Sequence, residues 1–375
     1  MQLRFTPLAA VLASTLLLAA CTSVPAAGER EPDEGDDILA PTAGYSTVAE
    51  AFLTANTPAE NIDSPASWTD DAGKTWLVAT AKDTHRLAVY DGDSGAHIRD
   101  VGGEGSALRE FRRPNGIAVL DDLLFVVERD NRRVQVLALP DFESLGAFGD
   151  EQLRQPYGLW VNRLADGGIE VLVSDNYMSP SNEDLPPPLA ELDERIKRYR
   201  LDPAALEDGL VQAQLIGMFG DTTAEGAIRI TESLLGDPAH GRLLISEEDQ
   251  AGGTLLREYG LDGKFRGRNI GADVFQAQAE GIALWQCEDG SGYWIATDQF
   301  ADRSLFHVFD RASLEHLGAF AGNTVANTDG VWLQQAPTAR FPAGVFYAVN
   351  DDQGVGAFDW RDIASALRLK VDCTK

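Results

Sequence analysis

One strand pattern recurs six times along this chain, and a fixed repeat constrains a fold more than any single motif. Each copy opens with a short apolar strand after a Gly, Pro or acid. A polar turn and a second apolar strand follow, and a third strand ends near Asp or Tyr. The first strands read SPASW from Ser64, NGIAVL from Asn115, YGLWV from Tyr157, TESLL from Thr231, EGIAL from Glu280 and DGVWL from Asp329. The second read WLVATAK, LLFVVERD, EVLVSDN, RLLISEED, YWIATDQ and VFYAVNDD. Such runs of Val, Leu, Ile and aromatics between turn residues are strands. Six units across residues 60–365 give roughly 50 residues each, the span of a propeller blade. A pair of β-sandwiches is the competitor, and the regular period argues against it. The expectation is an all-β fold, a six-bladed β-propeller, in which radial repetition leaves only short, protected sheet edges.

The repeat also places charge. The chain has 375 residues, with 59 Asp+Glu against 31 Lys+Arg and a net charge of -28. That balance excludes a nucleic-acid partner, which needs a basic face, and it invites cations. The second strands end at Lys82, Glu128, Asp175, Glu247-Glu248-Asp249, Asp298 and Asp351-Asp352. First strands begin beside Asp63, Glu232, Glu280 and Asp329. Equivalent strand ends of a propeller share one face, so the acids are expected to form a ring. Two like charges about 4 Å apart repel by about 4 kcal/mol at an effective dielectric near 20. A ring of them must take up protons or cations. Hard oxygen ligands without His or thiolate clusters suit calcium.

The first twenty residues carry one basic residue, then an apolar run from Phe5 ending Leu18-Ala19-Ala20-Cys21. This is the pattern of a secretory signal. Its last four residues resemble the bacterial lipobox, which implies lipid on Cys21. Residues 1–20 are therefore expected to be a lipoprotein signal, 21–49 a flexible tether rich in Glu, Asp and Pro, and 50–375 the propeller. The lipid would hold the protein at the bacterial cell envelope, on the outer membrane facing periplasm or exterior. The two other cysteines, Cys287 and Cys373, can pair outside the cytoplasm or stay as buried thiols. Nothing points to an oligomer, so a monomer is expected.

Several segments together resemble the β-propeller phytases, calcium-dependent enzymes that hydrolyse inositol phosphates. They are AEGIALWQCEDGSGYWIATDQFADRSLFHVFDR from Ala279, NTDGVWL from Asn327, FPAGVFYAVNDDQGVGAFDWRDIA from Phe341, TESLLGDPAHGRLLISEED from Thr231 and DSPASW from Asp63. The resemblance implies several calcium ions held by Asp63, Glu232, Glu247 or Glu248, Glu280, Asp329 and Asp351, with Tyr157 at a metal-site tyrosine position. It implies phosphate-binding roles for Lys82 and for Arg132, with Arg129 competing. Glu232, Glu280, Lys82 and Arg132 would then carry the catalysis of a 3-phytase-type enzyme on a small anionic ester such as phytate. Ser64 and Gln278 stand where the family usually has Asp, and SDNY from Ser174 lacks an expected Lys. Two other readings of the same residues are a lactonase-like six-bladed hydrolase and a non-catalytic, calcium-stabilised envelope propeller that binds a partner.

Overall fold

The computed structural model describes residues 38–182, 185–250 and 252–373. The signal segment, Cys21 and most of the expected tether lie outside them. The chain forms six antiparallel sheets in succession. Blade 1 is built from Ile62–Thr69, Thr75–Ala81, Arg86–Asp91 and His97–Gly102. Blade 2 uses Pro114–Leu120, Leu123–Glu128, Arg133–Ala138 and Glu143–Phe148. Blade 3 uses Pro156–Arg163, Ile169–Asp175, Ile196–Leu201 and Ala213–Phe219. Blade 4 uses Leu234–Asp237, Arg242–Glu247, Leu255–Gly260 and Phe265–Ile270. Blade 5 uses Gln278–Gln286, Gly292–Gln299, Leu305–Asp310 and His316–Ala321. Blade 6 takes Val331–Gln334, Val345–Asn350 and Gly354–Asp359, and its outer strand, Phe52–Leu53, comes from before blade 1. Inner strands of successive blades touch, and blade 6 touches blade 1, so the ring closes as a six-bladed β-propeller.

The core is divided among the seams between blades. Six apolar clusters each join two neighbours: Val78 and Leu87 with Leu124 and Val126, Val134 and Val136 with Val171 and Val173, and so on to Tyr347 and Val349 with Leu77 and Ala79. This follows from the sequence, because both faces of every middle strand are apolar and each must be covered by a neighbouring sheet. Inner strands are buried, whereas the outer strands His97–Gly102 and Phe265–Ile270 are largely exposed. Trp68, Trp160, Trp285 and Trp294 are all buried in these seams, as blade packing requires.

The folded part begins earlier than residue 50. Ser46–Thr47 runs parallel to the outer strand of blade 5, Val48 is buried, and Ile38, Ala40 and Tyr45 pack on Phe300 and Leu305. Residues 38–49 are thus docked rather than part of a tether. A few scattered anchors fix them, which leaves no periodicity to read. A helix, Trp360–Leu367, follows blade 6, capped by the Asp359 side chain on the Arg361 N–H. Beyond it, Cys373 is bonded to Cys287 of blade 5, the first of the two alternatives. Among the described residues, no helix is long and apolar enough to cross a membrane.

Candidate metal centre at the mouth of the channel

Strand register shows how the site is assembled. Pro65, Ile117, Leu159, Leu234, Ile282 and Val331 face Ala79, Val126, Val173, Ile245, Ala296 and Ala348 on the second strands. Two residues before each stand Asp63, Asn115, Tyr157, Glu232, Glu280 and Asp329. In blades 1, 2, 3 and 5 the register slips at this point. A bulge of this kind re-aims a side chain and is common beside functional sites. The slots form one ring with the four carboxylates on consecutive blades 4, 5, 6 and 1. The ring is tied by backbone, with Gly281 N–H donating to Asp329 O and Gly330 N–H to Asp63 O, each at 3.0 Å. Asn176 holds the approach to Glu232 by donating to Thr231 O at 2.9 Å and accepting from Thr231 N–H at 3.2 Å.

Second-strand residues form two further sets. Two positions beyond the facing residue stand Glu128, Asp175, Glu247, Asp298 and Asn350. Each accepts an N–H from the loop leading into its own blade. The donors are Arg112 for Glu128, Arg154 and Gln155 for Asp175, and Arg229 and Ile230 for Glu247. Gln276 and Ala277 donate to Asp298, and Ala326 donates to Asn350. These recurring acids are loop clasps. Glu247 belongs to them, with Arg257 3.6 Å away and burial pushing its carboxyl up to about 7. Its expected place as a metal ligand therefore passes to Glu248. One position further on stand Lys82, Arg129, Asn176, Glu248 and Gln299; Lys82, Glu248 and Gln299 meet the ring acids, Asn176 meets the Thr231 backbone, and Arg129 Nε lies 2.8 Å from Asp130 Oδ1.

Five carboxylates converge. Asp63, Glu232 and Asp329 bring oxygens within 4.8 Å of one another, and so do Glu232, Glu248 and Glu280. All are buried, from 0% exposed for Asp63 to 8% for Asp329. Lys82, itself 4% exposed, puts its Nζ 3.0 Å from Asp63 Oδ1 and 3.6 Å from Asp329 Oδ2. Ser64 Oγ donates to Asp63 Oδ2 at 2.9 Å, and Gln299 Nε2 to Asp329 Oδ1 at 2.5 Å. Glu232 Oε1 is buried and has no hydrogen-bond partner among the described residues. Burial, then the charges of Asp63, Asp329 and Glu248, hold the Glu232 carboxyl well above the usual carboxylate range, with Lys82 opposing. Asp329 is raised likewise by burial and by Asp352, which shares a hydrogen bond with it. One pair of charges at 4.8 Å costs about 3.5 kcal/mol at a dielectric near 20. Buried carboxylates so placed need protons, a lysine or a bound cation. The donor set is all oxygen and includes an orphaned buried carboxylate atom, which fits a hard divalent ion such as calcium.

Other expected residues stand elsewhere. Tyr157 takes the blade 3 slot of the ring and is buried. Arg132 is exposed on the turn after Glu128, at φ 53°, with its N–H on Arg129 O. The register equivalent of Lys82 in blade 2 is Arg129, so the competing residue has the better position. Asp351 is exposed, and the chain turns left-handed at Asp351 and Asp352 (φ 51° and 55°). That turn makes Asp352, rather than Asp351, the neighbour of Asp329. Sequence reading counts Asp352 among the strand-end acids but takes Asp351 as the ligand, and it gives no site role to Asn115 or Gln299. Asn115 is fully buried in the ring with neither carboxamide atom hydrogen-bonded among the described residues. The Asn115-Gly116, Glu280-Gly281 and Asp329-Gly330 dipeptides were the signal that could have found it. Behind the acids lies an apolar cavity of about 180 Å³, walled by Ile117, Leu159, Ile282, Val331 and Trp332 and meeting Glu232 at its acid end.

Fold and site together define a six-bladed propeller with a buried cluster of carboxylates, able to hold a cation, at one mouth. Residues 226–362 match the family model Phytase, a span that contains Glu232, Glu248, Glu280 and Asp329. Over that span the propeller is similar to the phytases. None of the curated proteins matches it. Solved structures with similar folds include a calcium-binding protein, regucalcin, from Agrobacterium tumefaciens (11% identity, 84% of this chain and 95% of that one, TM-score 0.47). Others are a nidogen/laminin complex (13%, 74% and 86%, 0.45) and a catalytically inactive virginiamycin B lyase from Staphylococcus aureus (11%, 82% and 87%, 0.42).

Proposed function

We propose that this protein is a calcium-dependent phosphomonoester hydrolase acting on inositol phosphates such as phytate, held at the cell envelope by lipid on Cys21. The observation that carries the reading is the buried convergence of Asp63, Glu232, Glu248, Glu280 and Asp329 inside a phytase-like framework. Glu232, Glu248 and Glu280 would hold calcium, and Asp63 and Asp329 would fix the Lys82 ammonium beside it. When bound, calcium supplies charge neutralisation and Lewis-acid polarisation of phosphoryl oxygens. The residues themselves bind and orient. Lys82 offers a positive charge to an approaching phosphate, and Arg129, one blade on in the same register slot, offers another that can pair with phosphate oxygens in a bidentate way. Gln299 and Ser64 hold Asp329 and Asp63 in place, so the acids do not swing toward water. No protein nucleophile is required. The two ring slots without a carboxylate, Asn115 and Tyr157, add nothing to the repulsion of an anionic substrate by a chain of net charge -28.

Phosphate release from inositol hexakisphosphate and from a simple monoester, with and without calcium, tests this. Release that EGTA abolishes is the expected result. Lactone turnover without phosphate release would point to the lactonase-like reading. Neither activity, with calcium still raising the melting temperature, would leave a partner-binding propeller. In cells, Cys21→Ser should move the protein from the membrane to the soluble fraction, and an unchanged membrane fraction would refute the anchor.

A further inference from the structure

We infer that the Lys82 ammonium fills one of two cation positions built into the carboxylate cluster, so that the cluster takes a single divalent ion, at Glu232, Glu248 and Glu280. The inference rests on the calcium reading above and concerns how many ions the site admits. Two carboxylate triads share Glu232. The first, with Asp63 and Asp329, is already served. Lys82 Nζ lies 3.0 Å from Asp63 Oδ1 and 3.6 Å from Asp329 Oδ2. The other oxygens of these two acids accept from Ser64 Oγ and Gln299 Nε2. Asp63 thus has one oxygen on a neutral donor and one facing the ammonium, and Asp329 has the same two kinds of partner and also shares a hydrogen bond with Asp352. An ion entering that triad would have to displace a buried lysine or sit against its charge, which desolvated surroundings make costly.

The lysine cannot withdraw easily. Its backbone N–H donates to Asn61 O at 2.8 Å, directly after the second strand of blade 1, and its side chain is 4% exposed. The shared residue supplies the second, independent sign of a ligand. Glu232 Oε1 is buried and has no hydrogen-bond partner among the described residues, and its carboxylate contributes an oxygen to both triads. Register makes the arrangement legible. Lys82 and Glu248 occupy the same slot in blades 1 and 4, on opposite sides of the ring. Blade 1 thereby supplies a fixed positive charge where blade 4 supplies a ligand.

Calcium stoichiometry by titration calorimetry on the full chain tests this. The ions of the cluster are counted as those lost on Glu232→Gln, which damages both triads. The wild type should lose one. Lys82→Met should gain a second ion, so that two are lost when Glu232→Gln is added to it, while Lys82→Arg, which keeps the charge, should stay at one. A wild-type count of two overturns the inference and leaves the calcium reading standing. An unchanged count of one in a folded Lys82→Met protein also overturns it. No calcium in either protein overturns the inference and the calcium reading together. If Lys82→Met fails to fold, the wild-type and Lys82→Arg counts still decide.

Discussion

Replacing Glu232 by Gln is expected to lower calcium-dependent phosphate release by a factor of at least about 100 and to abolish the calcium-induced rise in melting temperature, because a buried carboxylate shared by both triads is lost. Without calcium the same variant should be more stable than the wild type. Its carboxylate neighbours lie within 4.8 Å, and relieving their repulsion is worth on the order of 2–4 kcal/mol. The sign with pH follows from linkage. The Glu232 carboxyl of the folded, ion-free protein is held well above the usual range. Between its unfolded and folded values, the folded state therefore keeps a proton that the unfolded state has released. Ion-free wild-type stability is greatest below the unfolded value and falls as pH rises toward the folded one. The gap between variant and wild type in EDTA should thus be small near pH 4 and wide near pH 8. Thermal melts at the two pH values check it. A variant less stable than wild type at pH 8 in EDTA would contradict the account.

Gly158→Ala is expected to be among the most damaging single substitutions, costing more than about 4 kcal/mol or preventing soluble expression. A Cβ there would lie 1.7 Å from the carbonyl oxygen of Glu232, a backbone atom that no rotamer change can move aside. Blades 3 and 4 meet at this point, so relief would need the ring residue to shift. Any folded fraction should therefore bind calcium more weakly. Gly217→Ala is the control. No atom lies within 4 Å of its added Cβ, and its effect should stay within about 1 kcal/mol. Urea midpoints for the two variants measure the difference. Equal midpoints would remove the close backbone approach from the account of the ring.

The propeller was legible because its signal is repeated. Any one strand, such as EVLVSDN, is ambiguous, but six in the same order are not. The site was legible to within one residue. The acids that close the second strands do recur, and their recurrence suggested a ring of ligands. In a strand, neighbouring residues face opposite ways, so a shift of one position changes a role completely. Glu128, Asp175, Glu247 and Asp298 turn toward the loops of their own blades, while Lys82 and Glu248, one step later, reach the centre. Reading Lys82 as the equivalent of Glu128 was the slip. Correcting it turns Glu247 from ligand into clasp and moves the blade 2 candidate from Arg132 to Arg129. Asp352 was passed over in favour of Asp351 for a different reason. Its position depends on two left-handed residues in succession, which nothing in NDDQG requires. Gln299 and Asn115 went unread because neutral side chains do not stand out in an acidic chain.

Blade 6 is completed by Phe52–Leu53, from a part of the chain made long before the strands it joins. On the ribosome, those two residues must wait, unpaired along one edge, until residues 354–359 have emerged. Asp63 and Asp329 cannot meet until residue 329 has emerged, whereas Glu232, Glu248 and Glu280 can meet earlier. The complete charge constellation therefore arises only when the circle locks, whereas the triad of those three glutamates is complete once blades 4 and 5 have formed. A nascent or truncated copy would keep the ligand triad of blades 4 and 5 but lack the contacts of Lys82 with Asp63 and Asp329 that join its first blade to its last.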